Sequence, residues 1–138
     1  MLKYYAAIDT NVIVSSLLKH NSIPGIILDL VLSKIIVPLL NQEILNEYKE
    51  VLNRSKFGFK SDDVKYLLNE IELNSINLER EQTHELFIDD EDIVFYEITM
   101  KARNSMDAYL ITGNVKHFPV KEFVVTPKQM LDIINNSK

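Results

Sequence analysis

The sequence of 138 residues predicts an α/β fold built on a central, mostly parallel sheet of about five strands. Short apolar or β-branched segments recur along the chain, at residues 3–8, 35–38, 75–78, 108–112 and 123–126. Each pair of these segments is separated by sequence with helical periodicity and not by a two-residue hairpin turn. Such connections favour parallel strands that are joined by right-handed crossovers.

Helix starts are indicated by residues that commonly occur at a helix N-terminus. The expected starts are Thr10, Ser22, Asn41, Ser61 with Asp62, Asp89 to Asp92, and Thr126 with Pro127. Thr10 is expected to cap a first helix that reaches Leu18, and the helix from Ser61 is expected to reach Asn74. Because no linker or repeat interrupts these elements, we expect one domain over residues 1–138.

Composition excludes several classes of protein. The absence of cysteine excludes disulfides, thiolate nucleophiles and zinc-thiolate sites. The N-terminus has no signal-peptide pattern and the apolar runs fall far short of the roughly 20 residues of a membrane helix, so we expect a cytoplasmic protein without membrane insertion. The net charge of −5 argues against general attraction to nucleic acid, although the lysines and arginines are numerous enough to rim an acidic centre.

Carboxylates are placed where expected strands end and expected helices begin. Asp9 directly follows the first apolar segment, at the end of a strand where ligands collect in an α/β fold. An acid in this position is desolvated unless a neighbour neutralises it, although aspartate is also common as a turn residue. Asn11 can position a water or steady the Asp9 carboxylate, or it is simply a polar first-turn residue.

Glu47 is the second candidate acid. It lies in a helix whose apolar stripe is formed by Ile44, Leu45, Tyr48, Val51 and Leu52. At about 100° per residue, Glu47 lies nearer this stripe than Glu43 or Glu50 does. We therefore expect Glu47 to lean into a cleft at the edge of the core, and Glu43 and Glu50 to face water.

The run from Asp89 to Asp92 opens a later helix. The helix dipole favours acids there by roughly 0.3–1 kcal/mol each, which explains one or two of them but not four in a row. Asp92, in the first turn, is expected to point across the strand ends toward Asp9. Two carboxylates at ~4 Å would repel by about 4 kcal/mol at an effective dielectric of ~20, which requires a cation or a shared proton.

The segment after the fourth strand contributes neutral oxygen donors. Thr112 offers a hydroxyl and Asn114 an amide oxygen that can ligate a hard metal or orient a water, although a simple strand-to-loop turn also explains them. His117 and the adjacent Lys116 are candidates for contact with a substrate phosphate, whereas His20 and His84 are expected to be surface residues.

These donors suit one kind of chemistry. The sequence has no Walker motif, no dinucleotide-binding glycine motif and no nucleophile elbow, so no nucleotide cofactor is expected. A crevice formed by Asp9, Glu47, Asp92 and Asn114 suits hydrolysis of phosphodiesters assisted by Mg²⁺ or Mn²⁺. The metal would be held by Asp9 and Asp92, and Glu47 would ligate it or orient water.

Four segments resemble, in order and spacing, those of the PIN-domain ribonucleases. They are Asp9-Thr10-Asn11-Val12, Glu47 within 43–48, Asp89 to Asp92 with Phe95, and Ile111-Thr112-Gly113-Asn114. The resemblance covers almost the whole chain, and the run 112–119 is similar to the branch of toxin components of bacterial toxin-antitoxin pairs.

The resemblance implies a three-layer α/β/α fold and Mg²⁺- or Mn²⁺-dependent cleavage of RNA. It places Asp9, Glu47 and Asp92 at the acidic metal-binding positions, with Asn11, Asp89, Thr112 and Asn114 in support. The family often has aspartate where this chain has Asn114, so a second metal ion would be held more weakly here unless Asp89 supplies the charge. The resemblance also implies a homodimer and an antitoxin protein that blocks the acidic cleft.

Two other interpretations stay open at this stage. A catalytically impaired PIN module would bind RNA or a protein partner without cleavage, which the amide of Asn114 and the acidic composition favour. A phosphoacceptor domain would use Asp9 as its receiving carboxylate, but Asp9 follows the first strand and no suitable lysine motif accompanies it.

Overall fold

A computed structural model describes residues 2–87 and 89–137 of the chain. Its five strands are β1 (Tyr4–Ile8), β2 (Ile36–Leu40), β3 (Ile76–Asn77), β4 (Ala108–Ile111) and β5 (Val124–Val125). They form one sheet in the order β3-β2-β1-β4-β5, and every pair of neighbours is parallel. The predicted parallel sheet is therefore confirmed, although the two edge strands are shorter than the sequence suggested.

Six α-helices flank this sheet in a three-layer α/β/α arrangement. They are α1 (Thr10–Leu18), α2 (Ile23–Leu32), α3 (Gln42–Leu52), α4 (Ser61–Leu73), α5 (Asp90–Ala102) and α6 (Pro127–Asn136). Two short 3₁₀ helices, Ser55–Phe57 and Val115–His117, follow α3 and β4. None of the helices within the described ranges is long and apolar enough to cross a membrane.

The helix caps confirm most of the sequence expectations. Ser22, Asn41 and Thr126 each accept a hydrogen bond from a backbone N–H of the first turn, as N-cap residues do. Helix α4 ends at Leu73 with Asn74 as its C-cap.

The expectation that Thr10 caps the first helix is wrong. The cap of α1 is Asp9, whose side chain accepts a hydrogen bond from the backbone N–H of Asn11. Thr10 already has helical geometry, and its hydroxyl is free to bond elsewhere. The carboxylate that ends β1 thus starts α1 as well.

The sheet order places a topological switch point between β1 and β4. The chain leaves β1 toward β2 on one side, while β4 pairs with β1 on the other side, with Ile8 opposite Ile111. The backbone N–H of Asp9 continues this pairing by donating to the carbonyl of Ile111 at 2.9 Å. Ligands of open α/β sheets bind in the crevice outside the strand ends at such a point.

The core around these strand ends is apolar and closely packed. Strand β2 is buried along its whole length, and Ala6, Ala7 and Ile8 of β1 are at most 2% exposed. Beneath the switch point, Tyr48 and Phe95 bring aromatic rings from α3 and α5 into this core. A polar group at the end of β1 is therefore backed by hydrocarbon and has little access to water.

Candidate active site

Asp9 is a carboxylate in an almost closed environment, with only 5% of the residue exposed. The Thr112 hydroxyl donates to it at 2.7 Å, and the Asn11 backbone N–H donates at 3.3 Å. Burial raises the pKa of Asp9 although these donors oppose the effect. Thr112 is oriented in turn, because its oxygen accepts a hydrogen bond from the Asn114 N–H at 2.9 Å.

Helix α3 is tied to the end of β1 by Tyr48. The buried Tyr48 hydroxyl donates to the backbone carbonyl of Ile8 at 2.5 Å, one residue before Asp9. Burial, reinforced by the nearby carboxylates of Asp9 and Glu47, raises the pKa of Tyr48 well above its ordinary value, so the phenol stays protonated and remains a donor. This tie places Glu47, the residue before Tyr48, beside Asp9.

Glu47 is half-buried and faces the switch point, as its angle on the helix predicted. The hydroxyl of Thr10 donates to its carboxylate. Burial, then repulsion from Glu91, Asp9 and Asp92, raises the pKa of Glu47. The carboxylate of Glu47 is therefore repelled by three neighbouring carboxylates.

Asp92 lies in the first turn of α5, and 14% of its side chain is exposed. Its carboxylate lies 3.2 Å from Nδ1 of His117. Burial, followed by repulsion from Asp9, raises the pKa of Asp92 to about 6. Asp89, the N-cap of α5, accepts a hydrogen bond from the Glu91 N–H and contributes to the same repulsion.

These side chains line one cleft of about 140 Å³ at the switch point. Its lining residues are Asp9, Thr10, Asn11, Glu47, Val51, Arg54, Asp89, Glu91, Asp92, Asn114 and His117. Residues from the ends of β1 and β4 and from α3 and α5 thus meet in one place, although they are far apart in sequence. Five of these residues carry a carboxylate, and a bound divalent cation would stabilise them.

The remaining predicted site residues have other positions. Thr112 is fully buried behind Asp9, and Lys116 is exposed and is not part of the lining. Asn11 steadies Asp9 as expected, but through its backbone N–H. His117, the candidate for phosphate contact, lines the cleft.

Sequence reasoning does not identify every residue of the cleft, and it misses one buried ion pair. Thr10 and Val51 line the cleft although the sequence indicates only a helix cap and an apolar stripe for them. Arg54 is among the basic residues expected to be able to rim an acidic centre, and Glu91 belongs to the run of acids, but nothing in their spacing distinguishes either of them. Glu97 of α5 is 5% exposed and pairs with Arg80 at 2.6 Å. A single charge inside the apolar run 94–98 was the signal that could have revealed it.

Arg80 connects the two helices that carry site acids. Its Nη1 lies 2.7 Å from Glu43 of α3, while its Nε donates to Glu97 of α5. The second oxygen of Glu97 accepts a hydrogen bond from the Thr83 N–H at 2.6 Å. This network, which we call the Arg80 bridge, holds the segment after β3 against both helices.

A larger groove of about 380 Å³ lies between α3 and α4. It is lined mainly by amide side chains and by Lys49 and Lys65, with Glu72 as its one carboxylate. Because it brings no acids together, it does not suit the metal chemistry that the sequence indicates.

The donor set of the acidic cleft fits a hard divalent cation. Carboxylate oxygens are the ligands that Mg²⁺ and Mn²⁺ prefer, and burial raises the pKa of Asp9, Glu47 and Asp92, an effect that a bound divalent ion would oppose. Within residues 2–87 and 89–137, however, no three His, Asp or Glu side chains are grouped tightly enough to hold an ion as they stand. Thr112, Thr10 and His117 each engage one of the acids instead.

Fold and cleft together define an α/β protein with an acidic site at its topological switch point. The sequence profile of the PIN domain family matches residues 5–116, which include most of the chain and every residue that lines the cleft except His117. The chain therefore belongs to the PIN domain family, whose members are generally nucleases that use divalent metals. No curated protein and no solved structure matches the chain.

Proposed function

We propose that this protein is a Mg²⁺- or Mn²⁺-dependent endoribonuclease that hydrolyses RNA phosphodiester bonds. One observation carries the proposal: Asp9, Glu47 and Asp92 come from three different elements and line one cleft. Burial raises the pKa of all three, and repulsion between carboxylates adds to the effect at Glu47 and Asp92. Membership of the PIN domain family supports a nuclease. RNA as the substrate is supported by the resemblance of the four site segments to PIN-domain ribonucleases.

The chain's own residues have distinct roles in this proposal. Asp9 and Asp92 would hold the divalent ion, which when bound activates water and stabilises charge on the phosphoryl oxygens. Thr112 orients the Asp9 carboxylate from behind, and Thr10 orients that of Glu47. The raised pKa of Glu47 brings its carboxylate closer to the proton affinity that a general base needs near neutral pH.

Substrate contacts are proposed at the opening of the cleft. His117, which lines the cleft, would contact a phosphate of the strand, and the exposed Lys116 beside it would add positive charge outside the acid cluster. Asn114 offers an amide oxygen at the same edge. Because it lacks the charge of an aspartate, a second ion would be held more weakly than the first.

The direct test is incubation of the purified protein with mixed RNA in Mg²⁺, Mn²⁺ or chelator. Cleavage is expected with either metal and not with chelator. The Asp9→Asn variant should lose it, since an amide keeps the cap of α1 but removes the charge. Asp132→Asn, a change on the exposed face of α6, serves as the matched control and should cleave normally. Equal cleavage by wild type and Asp9→Asn would refute the proposal.

A toxin role is proposed for the same activity, on the resemblance of the run 112–119. Expression of the wild-type chain in bacteria should arrest growth, and the Asp9→Asn variant should not. The likeness also implies a homodimer and a cognate antitoxin that covers the cleft. Light scattering of the purified protein tests the dimer, and co-expression of the neighbouring gene tests the antitoxin.

Asn114 favours one rival, a PIN module that binds RNA or a protein without cutting. Its amide stands at the edge of the cleft, where a carboxylate would add charge for metal binding. RNA binding that persists in chelator, without cleavage in either metal, would establish this rival.

A further inference from the structure

Arg54 lines the edge of the acidic cleft, and two backbone hydrogen bonds hold its main chain in place. Its N–H donates to the Val51 carbonyl at 3.1 Å, and its own carbonyl accepts from the Phe57 N–H at 3.1 Å. Among the described residues that line the cleft, it is the only lysine or arginine. Arg54 is therefore a fixed positive charge at the edge of a cleft that five carboxylates line.

The side chain of Arg54 is turned outward by Glu50. Its Nη2 lies 3.1 and 3.2 Å from the two oxygens of Glu50, one helical turn earlier on α3. Glu50 is 66% exposed and does not line the cleft, so this pair holds the guanidinium at the rim. Within residues 2–87 and 89–137, Nε and Nη1 of Arg54 donate no hydrogen bond, so part of the planar fork is available to a ligand.

We infer that Arg54 binds a non-bridging phosphate oxygen of the RNA strand at the rim of the cleft, and that Glu50 positions it there. The inference rests on the proposed function and extends it to substrate binding. Five carboxylates repel a polyanion, so a strand that approaches the cleft needs a fixed cation near its path. Arginine suits this role because its planar donors match phosphate geometry.

Glu50 also keeps the guanidinium away from the site acids. Without a partner on the outer side, Arg54 would be drawn toward Glu47, which lies two helical turns earlier and lines the same cleft. A guanidinium there would neutralise the charge that the cleft offers to a metal. The ion pair with Glu50 therefore lets one cleft hold acids for a metal and a cation for phosphate.

The test measures binding of a single-stranded RNA to the full chain carrying Asp9→Asn, in chelator, over a range of salt concentrations. Adding Arg54→Gln should weaken binding by about tenfold, because a charge-assisted hydrogen bond is lost. The slope of log affinity against log salt should become shallower by about 0.7, the value for one phosphate contact on a single strand. Arg54→Lys should restore the slope and only part of the affinity.

Two controls separate this role from a structural one. Glu50→Gln breaks the same ion pair but keeps the guanidinium, so it should weaken binding and flatten the slope in the same direction as Arg54→Gln, but by less. Lys128→Gln breaks another exposed pair of the same spacing and removes the same charge on α6, and it should not change the slope. No RNA binding by the Asp9→Asn chain, an unchanged slope in Arg54→Gln, or an equal change in Lys128→Gln would overturn the inference.

RNA cleavage by the chain with native Asp9, measured in parallel, distinguishes this inference from the proposed function. Cleavage together with unchanged binding by Arg54→Gln refutes the role of Arg54 alone. Binding that depends on Arg54 without any metal-dependent cleavage refutes the nuclease proposal and leaves the phosphate contact intact.

Discussion

Asp92→Asn should raise the free energy of unfolding of the metal-free protein at pH 8 but not at pH 4. Burial and the charge of Asp9 raise the pKa of Asp92 from 3.8 to about 6. The folded state therefore binds more protons than the unfolded state between these two values, so stability falls as pH rises through this window. Above about pH 6 the full penalty of the charged carboxylate is present, and below about pH 4 it vanishes.

The magnitude follows from the same pKa difference. At about 1.4 kcal/mol for each unit of pKa, the penalty has a ceiling of about 3 kcal/mol. The side chain is 14% exposed, so water screens part of this. Loss of the favourable helix dipole subtracts about another 0.5 kcal/mol. We expect the free energy of unfolding of Asp92→Asn to exceed that of wild type by about 1–2 kcal/mol at pH 8.

Urea denaturation in chelator at pH 4 and pH 8 measures this difference. Asp107→Asn, where the native side chain is 80% exposed, controls for the loss of a surface carboxylate and should show no comparable gain. Adding Mg²⁺ should reverse the order at pH 8, because ligand binding stabilises the wild type and not a variant with a missing ligand. Equal stability at pH 8, or a gain that is the same at both pH values, would refute the electrostatic account of the cleft.

Three further predictions concern the supports of the site. Tyr48→Phe removes the hydrogen bond to the Ile8 carbonyl and should lower the free energy of unfolding, measured in urea, by about 1–2 kcal/mol. RNA cleavage should also fall. Full cleavage would show that this hydrogen bond does not position Glu47. Arg80→Met removes the charged partner of the buried Glu97 and leaves its carboxylate the hydrogen bond from the Thr83 N–H, so the free energy of unfolding should fall by about 2 kcal/mol at neutral pH. Adding Glu97→Gln to this variant should restore part of the lost stability. Asn114→Asp should lower the Mn²⁺ concentration for half-maximal cleavage, and an unchanged metal titration would remove the argument for a weakened second ion.

The sheet was predictable from sequence because each strand is a short apolar run and each connection carries helical periodicity. The same periodicity placed Glu47 toward the cleft, and Glu43 and Glu50 outward, where the structure puts them. Parallel strands share one edge, so Asp9 and Thr112 had to meet once β1 and β4 became neighbours. These inferences depend only on local pattern and on the direction of the strands.

The errors arose where the partner of a polar side chain is remote in sequence. Thr10 and Asp9 are both good cap residues, and the choice between them is decided by Glu47, 37 residues away, which takes the Thr10 hydroxyl. Arg54 is one of many basic residues in the sequence, and only the assembled cleft distinguishes it from the others. Glu97 interrupts an apolar run, but its counter-charge comes from a segment with no regular structure. A sequence pattern over a few neighbouring residues cannot predict a pairing with a residue so far away in the chain.

The Arg80 bridge has a practical consequence for protein engineering. Arg80 grips Glu43 one helical turn before Glu47, and Glu97 five residues after Asp92, yet it does not line the cleft itself. Arg80 therefore couples the helices that carry Glu47 and Asp92 from outside the cleft. A substitution at position 80 is expected to change the distance between these two acids without removing either of them.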